Sequence, residues 1–318
     1  MTTIEVDAGI RALLDQLAAV GGGGIESLSP TEARELYKGF AATDGTPEAV
    51  GSVADAEIAG VPVRVYRPLD AEADAALPTL AWFHGGGFVI GDRDTADPTA
   101  RKLANRSGCV VVSVDYRLAP ENKFPAATDD CWSVTSALAA GEATAHGGDP
   151  TRLAVGGDSA GGNLAAVSAI RARDAGVALR HQLLVYPVTD LRMSFPSIEE
   201  NGEGYFLTKN AMKWFHDSYL GPDEATNPMA SPLLTDDLTG VAPAHVLTAG
   251  YDPLRDEGDA YAKKLADAGV DVVHDRYPSM IHGFFAMGSV TPIADEALTK
   301  AAELLAKRSQ NGGSSHQG

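Results

Sequence analysis

The chain has 318 residues, 44% of them apolar, and its 25 lysines and arginines against 43 aspartates and glutamates leave a net charge of −18. That length suits one large α/β domain with an attached cap, and the negative balance repels phosphate backbones and anionic headgroups, which argues against nucleic acid as a partner. Two cysteines, Cys109 and Cys131, stand without ligand spacing, so neither a disulfide framework nor a zinc site is expected. No apolar run reaches the ~18 residues of a membrane span. Glu5, Asp7, Arg11 and Asp15 interrupt Met1–Val20 where a secretory leader would be basic and then continuously apolar, so a cytoplasmic protein without stable membrane insertion is expected.

Ile10, Leu13, Leu14 and Leu17 recur at helical spacing and predict an amphipathic helix over the first twenty residues, stopped by Gly21 to Gly24. Ser29-Pro30-Thr31-Glu32 is a capping box with proline in the first turn and opens a second helix to about Ala42. A weak strand near Val53 to Ile58 precedes the alternating Val61, Val63 and Val65. Thr79 to Phe83 reads as a buried strand ending in His84-Gly85-Gly86-Gly87-Phe88, a loop able to aim backbone N–H groups outward. Cys109 to Val114 is a continuous β-branched run, as a strand covered on both faces requires.

Leu153 to Val155 lead into the corner Gly157-Asp158-Ser159-Ala160-Gly161 and a small-residue helix. Strand, tight turn, helix is the context that lifts a serine hydroxyl clear of a sheet, and glycines are needed around it because a Cβ would collide with neighbouring backbone. Ser159 is therefore the candidate nucleophile. Further strands are expected at Leu183 to Tyr186, His245 to Thr248 and Val270 to His274, with helices near 94–107, 126–140, 161–175, 255–268 and 293–308. This alternation predicts a mostly parallel, twisted sheet flanked by helices. From about Val188 to Thr239 no core strand is expected; one helix near Thr208 to Leu220 carries Met212, Trp214, Phe215 and Tyr219. The expected division is 1–48 N-terminal helices, 49–187 first part of the core, 188–239 insertion, 240–308 second part of the core, and 309–318 a disordered tail.

Six motifs together, HGGGF at 84–88, DYRLAPE at 115–121, GDSAGG at 157–162, YP at 186–187, DPLRDEG at 252–258 and HGF at 282–284, give a chain that resembles the hormone-sensitive-lipase-like carboxylesterases of the α/β-hydrolase superfamily. The resemblance runs from about residue 60 to 305. It implies an α/β-hydrolase fold in which the N-terminal helices and the insertion form a helical cap.

A serine hydroxyl must pass its proton to a base as it attacks. Of eight histidines, His282 follows the last strand in a flexible-looking Ser279–Gly283 loop, whereas His274 and His245 belong to strands and His316 to the tail. The imidazole in turn needs a carboxylate on its other nitrogen. Asp252 stands just beyond a strand end, with Asp256 and Glu257 as rivals in what reads equally as an acidic first helical turn. The family pattern points to Asp252. The same resemblance assigns the oxyanion hole to the N–H groups of Gly86, Gly87 and Ala160, makes His84 a brace for that loop, and packs 115–121 near the corner. Asp158 is not the acid in this pattern. Phe88, Tyr205, Phe206, Trp214 and Phe215 are candidates to line a substrate pocket or simply to fill a cap core.

These readings imply a serine carboxylester hydrolase acting through an acyl-enzyme on small esters of short to medium acyl chain, without metal or organic cofactor. Hydrolysis of amides, lactones or carbonates by the same residues is the first alternative. A non-catalytic small-molecule receptor on this fold is the second. By analogy with relatives that pair through the last strand and its neighbouring helix, a homodimer is open.

Overall fold

Valine-, leucine- and isoleucine-rich runs between turn residues assemble into one sheet in the computed structural model, which describes residues 4–21, 23–39 and 44–310. The chain begins with α1 (Ala8–Val20) and α2 (Pro30–Lys38). Then follow β1 (Ser52–Ile58), β2 (Val61–Arg67), β3 (Leu77–Phe83), α3 (Asp97–Ser107), β4 (Val110–Val114), α4 (Ala126–Ala139), β5 (Gly148–Asp158), α5 (Ala160–Asp174) and β6 (His181–Val185). A long excursion carrying α6 (Ser197–Glu200) and α7 (Lys209–Tyr219) precedes β7 (Ala244–Tyr251), α8 (Arg255–Asp267), β8 (Val272–Ile281) and α9 (Pro292–Gln310).

The strand order is β1-β2-β4-β3-β5-β6-β7-β8. β1, β2 and β4 pair antiparallel, and every neighbour from β4 to β8 pairs parallel. Alternation along a strand sends successive side chains to opposite faces. Val110, Val112 and Val114 accordingly join a core with α4, α5 and α8, while Val111 joins one with α1, α3 and α9. Both faces are covered, which is why β4 reads as an unbroken apolar run.

The first helices are set by local chemistry. The Asp7 carboxylate accepts from Gly9 N at 3.0 Å and Ile10 N at 3.2 Å, capping α1. Ser29 and Glu32 form the reciprocal capping box of α2. That helix ends at Lys38 with Gly39 as its C-cap, and 40–42, the rest of its expected length to about Ala42, lie outside the described residues.

Two expectations change. β8 continues through Ile281, which pairs with Tyr251 after a register irregularity in β7, so Ser279 to Ile281 are strand rather than flexible loop. Only His282 and Gly283, the latter at φ +82°, leave the sheet there. α9 runs to Gln310 with Ser309 buried, past the expected helix end; 311–318 lie outside the described residues. Between β6 and β7 no strand forms among the described residues, and no helix among them is long and apolar enough to cross a membrane.

Candidate active site

Parallel strands bring their carboxyl ends to one rim, where ligands of open α/β sheets gather. β5 delivers Ser159 there, β7 delivers Asp252, β8 delivers His282 and β3 delivers 84–87. Ser159 has φ +56° and ψ −117°, a conformation that L-residues avoid. Neighbouring bonds hold it: Ser159 N–H donates to Val185 O at 2.8 Å, and its carbonyl accepts from the N–H groups of Asn163 and Val188, each at 3.1 Å. A Cβ on Gly161 would fall on the Phe83 carbonyl, and one on Gly157 would strike Gly161 and Phe83 backbone. The tight corner therefore depends on both glycines.

His282 Nε2 lies 3.0 Å from Ser159 Oγ, and its Nδ1 lies 2.8 Å from Asp252 Oδ2. These partners fix the tautomer: Nδ1–H donates to the carboxylate and Nε2 accepts from the hydroxyl. The three residues are 8%, 0% and 7% exposed for Ser159, Asp252 and His282, so the series is shielded from bulk water. Asp252 Oδ1 accepts from Leu254 N at 2.8 Å. The rival carboxylates face elsewhere. Asp256 accepts from Ser197 N at 3.0 Å and Arg255 Nε at 2.8 Å, and Glu257 accepts from Thr189 and Asp190 N–H groups. His245 pairs with Asp275, and His274 with Thr248 and Asp259; His316 lies outside the described residues.

Gly86 has φ +117° and Gly87 φ +57°. Among the described residues neither N–H donates to a protein acceptor. Ala160 N–H, at the first position of α5, has no intrahelical acceptor within reach. The loop is pinned at its root, where Gly85 N donates to Asp158 Oδ1 at 2.9 Å. Burial pushes the Asp158 carboxyl up to about 6, against the Gly85 bond and the nearby His282, which favour its ionised form. His84 stacks on Tyr116 with centroids 4.3 Å apart, its Nδ1–H donates to Gly85 O at 2.7 Å, and Tyr116 OH donates to His84 O at 2.7 Å. Burial pulls the His84 imidazole below its ordinary range, as befits a neutral brace.

The aromatic candidates separate. Phe88 is 1% exposed and stacks on Tyr219 at 3.8 Å, so it is packed core. Phe215 is buried with its ring on the spot a Gly87 Cβ would occupy, and Trp214 packs edgewise on it at 5.1 Å. Phe206 borders Gly283 beside His282, and Tyr205 rests on Tyr251 at 4.8 Å. Sequence reasoning gave no role to Tyr186, whose ring leans on His282 at 4.7 Å, although its YP motif was visible. It also missed Asn201, whose Nδ2 donates to Asp252 O at 3.1 Å. Nothing local marks an asparagine in an irregular insertion as a neighbour of a distant strand end.

A hydroxyl, an imidazole and a carboxylate in hydrogen-bonded series at the carboxyl rim of a doubly wound sheet define the α/β-hydrolase class. The alpha/beta hydrolase fold family matches residues 80–286, and the chain belongs to it. Over 240 residues it is 43% identical to the esterase LipI of Mycobacterium tuberculosis, spanning 74% of this chain and 75% of that one. It is 41% identical over 248 residues to the ethyl acetate hydrolase of Pseudomonas putida, covering 77% and 78%. An ester hydrolase from the metagenome of Lake Arreo, solved with a derivative of bipyridine phosphonate, superposes with a TM-score of 0.91 at 44% identity over 95% of this chain and 98% of that one.

Proposed function

We propose that the chain is a serine carboxylester hydrolase acting on small esters of short to medium acyl chain. The observation that carries this reading is the unbroken series Ser159–His282–Asp252, at 3.0 and 2.8 Å. In the first half-reaction His282 Nε2 takes the Ser159 proton as Oγ attacks the ester carbon. The carbonyl oxygen becomes an anion facing the N–H groups of Gly86, Gly87 and Ala160; one such donor is worth about 10²–10³ in rate. Asp252 stabilises the imidazolium, which then protonates the departing alcohol and leaves an acyl-Ser159 ester. Water enters, gives its proton to His282, and attacks the acyl carbon by the same path in reverse, releasing the acid and restoring Ser159.

A cap over this rim is formed by the N-terminal helices and the 188–239 insertion. Supporting it, Arg34 of α2 donates to Val89 O and Ala119 O at 2.8 and 2.9 Å, and α7 sets Phe215 against Gly87. Phe206 borders Gly283 next to His282 and Phe215 lies against Gly87 of the oxyanion loop, and these two rings are offered as the walls that limit the acyl chain. The enzyme works in the cytoplasm, and β8, an edge strand of the sheet, is offered as the seam for a second copy. p-Nitrophenyl esters from acetate to palmitate test the substrate class: activity should peak at short to medium chains, and a steady rise to palmitate overturns it. Fluorophosphonate labelling that is lost in Ser159→Ala supports the acyl-enzyme; an unlabelled, inactive wild type favours a receptor.

A further inference from the structure

Glu257 is a fully buried carboxyl group that lies outside the polar series and that the reaction does not use. Glu257 sits in the first turn of α8 with no solvent exposure. Its Oε1 accepts from Thr189 N at 2.7 Å and from Asp190 N at 3.1 Å, while Thr189 Oγ1 donates back to the Glu257 carbonyl at 2.9 Å. Three bonds thus bolt the segment after β6 to the helix after β7. We propose that Glu257 is a positioning residue that locks the Ser159 corner and the Asp252 turn into one rigid unit. The inference rests on the hydrolase reading above.

The mechanical path is short on both sides. Val188, next to the bolted pair, donates its N–H to the Ser159 carbonyl at 3.1 Å and accepts from Asn163 Nδ2 at 2.9 Å. A serine at φ +56° persists only where its surroundings over-determine it. Two residues before Val188, Tyr186 supports the His282 ring. On the other side, the turn that opens α8 is the one that holds the acid: Leu254 N donates to Asp252 Oδ1 at 2.8 Å, Arg255 N to Asp252 O and Gly258 N to Leu254 O, each at 3.1 Å. Glu257 lies within that turn. The bolt therefore sets the spacing between two groups that must meet His282 from opposite sides, where a displacement near 1 Å costs about 10²-fold in rate.

The second oxygen of the Glu257 carboxyl takes no part in the bolt. Oε2 is buried and makes no hydrogen bond among the described residues, an unfavourable place for half of a charged carboxylate. Burial raises the Glu257 carboxyl well above its ordinary range, against the Thr189 and Asp190 N–H bonds, which favour its ionised form. Oε1 is the double acceptor that holds Thr189 and Asp190, and this role does not depend on the charge of the group. Glutamine has the same shape and the same acceptor, whereas alanine strands two buried N–H groups.

The test uses the full-length enzyme, with p-nitrophenyl butyrate kinetics and the rate of fluorophosphonate labelling. Glu257→Ala should lower kcat about 10–100-fold, with KM within about twofold and labelling slowed in parallel. Glu257→Gln should restore kcat to within about threefold of wild type. A packing role alone would lower Tm and leave kcat per labelled site unchanged; that result overturns the proposal, as does a Gln variant as slow as the Ala variant. Should Glu257→Ala fail to fold, Thr189→Val removes the return bond alone: slowed kcat at unchanged KM upholds the proposal, and unchanged kcat overturns it. An inactive, unlabelled wild type would defeat the hydrolase reading instead.

Discussion

Replacing Asp252 by asparagine removes a charge while keeping shape, and the structure sets the outcome. Asp252 Oδ1 accepts from Leu254 N and Oδ2 from His282 Nδ1, both at 2.8 Å. An asparagine can satisfy only one of these donors with its single oxygen. If the oxygen stays on Leu254, the amide NH₂ faces His282 Nδ1 and drives the proton to Nε2, where it can no longer accept the Ser159 hydroxyl proton. If the amide flips, NH₂ opposes the buried Leu254 N–H at a cost of about 1–3 kcal/mol, and the imidazolium still lacks its counter-charge. The same Asp-to-Asn change, which imposes the wrong tautomer, costs about 10⁴ in kcat in a serine protease, and about 10³–10⁴ is expected here. The assay is steady-state hydrolysis of p-nitrophenyl butyrate with wild type and Asp252→Asn, the fold checked by circular dichroism. Asp256→Asn serves as control and should stay within about threefold. A folded Asp252→Asn enzyme within tenfold of wild type would refute the assignment of Asp252 as the orienting acid.

Gly87→Ala forces a Cβ into the Phe215 ring at φ +57°, so kcat should fall about 10²-fold, as for a lost oxyanion donor; adding Phe215→Ala should recover only the steric part, and full recovery would mean the backbone angle is immaterial. For Asp158, the folded carboxyl at about 6 stands above its ordinary 3.8. The native state then binds the proton more tightly than the unfolded chain, and stability falls as pH rises through that window. Asp158→Asn, which keeps an acceptor for Gly85, should therefore match wild type in Tm near pH 4 but exceed it by about 2–6 °C above pH 6; an equal offset at both pH values would show that the charge is not the cause. Lys102 Nζ donates to the Asp44 carbonyl at 2.8 Å and pairs with its carboxylate at 2.5 Å, both side chains buried. Burial already raises the Asp44 carboxyl despite this partner. Lys102→Met should cost about 3–5 kcal/mol, and Asp44→Asn in the same chain should return most of it; calorimetry showing no loss in the single variant would contradict the burial argument.

Much of this molecule is legible from local rules. The capping box at Ser29 and the alternation at Val61–Val65 each depend on contacts within a few residues. The corner at 157–161 is readable because a strand that must turn into a helix around an exposed serine permits little but glycine beside it. His282 stood out among eight histidines because it follows a strand end, although the expected loop around it is the tail of β8, extended by the irregular pairing of β7. Other features had no local signature. Asn201 reaches Asp252, Asp158 ties the oxyanion loop to the corner, and Asp44 meets Lys102 across 58 positions of sequence.

Composition, spacing and turn chemistry by themselves determined the alternating α/β architecture, the serine corner and the glycine loop, because each answers to forces acting over a turn or a strand pair. Which of Asp252, Asp256 and Glu257 meets the imidazole was decided only by tertiary structure. All three lie within six residues, and their directions follow from how β7 ends, how α8 begins and what packs against that turn from β6. A carboxylate's chemical identity is local, but its partner is chosen by the packing of the whole sheet rim.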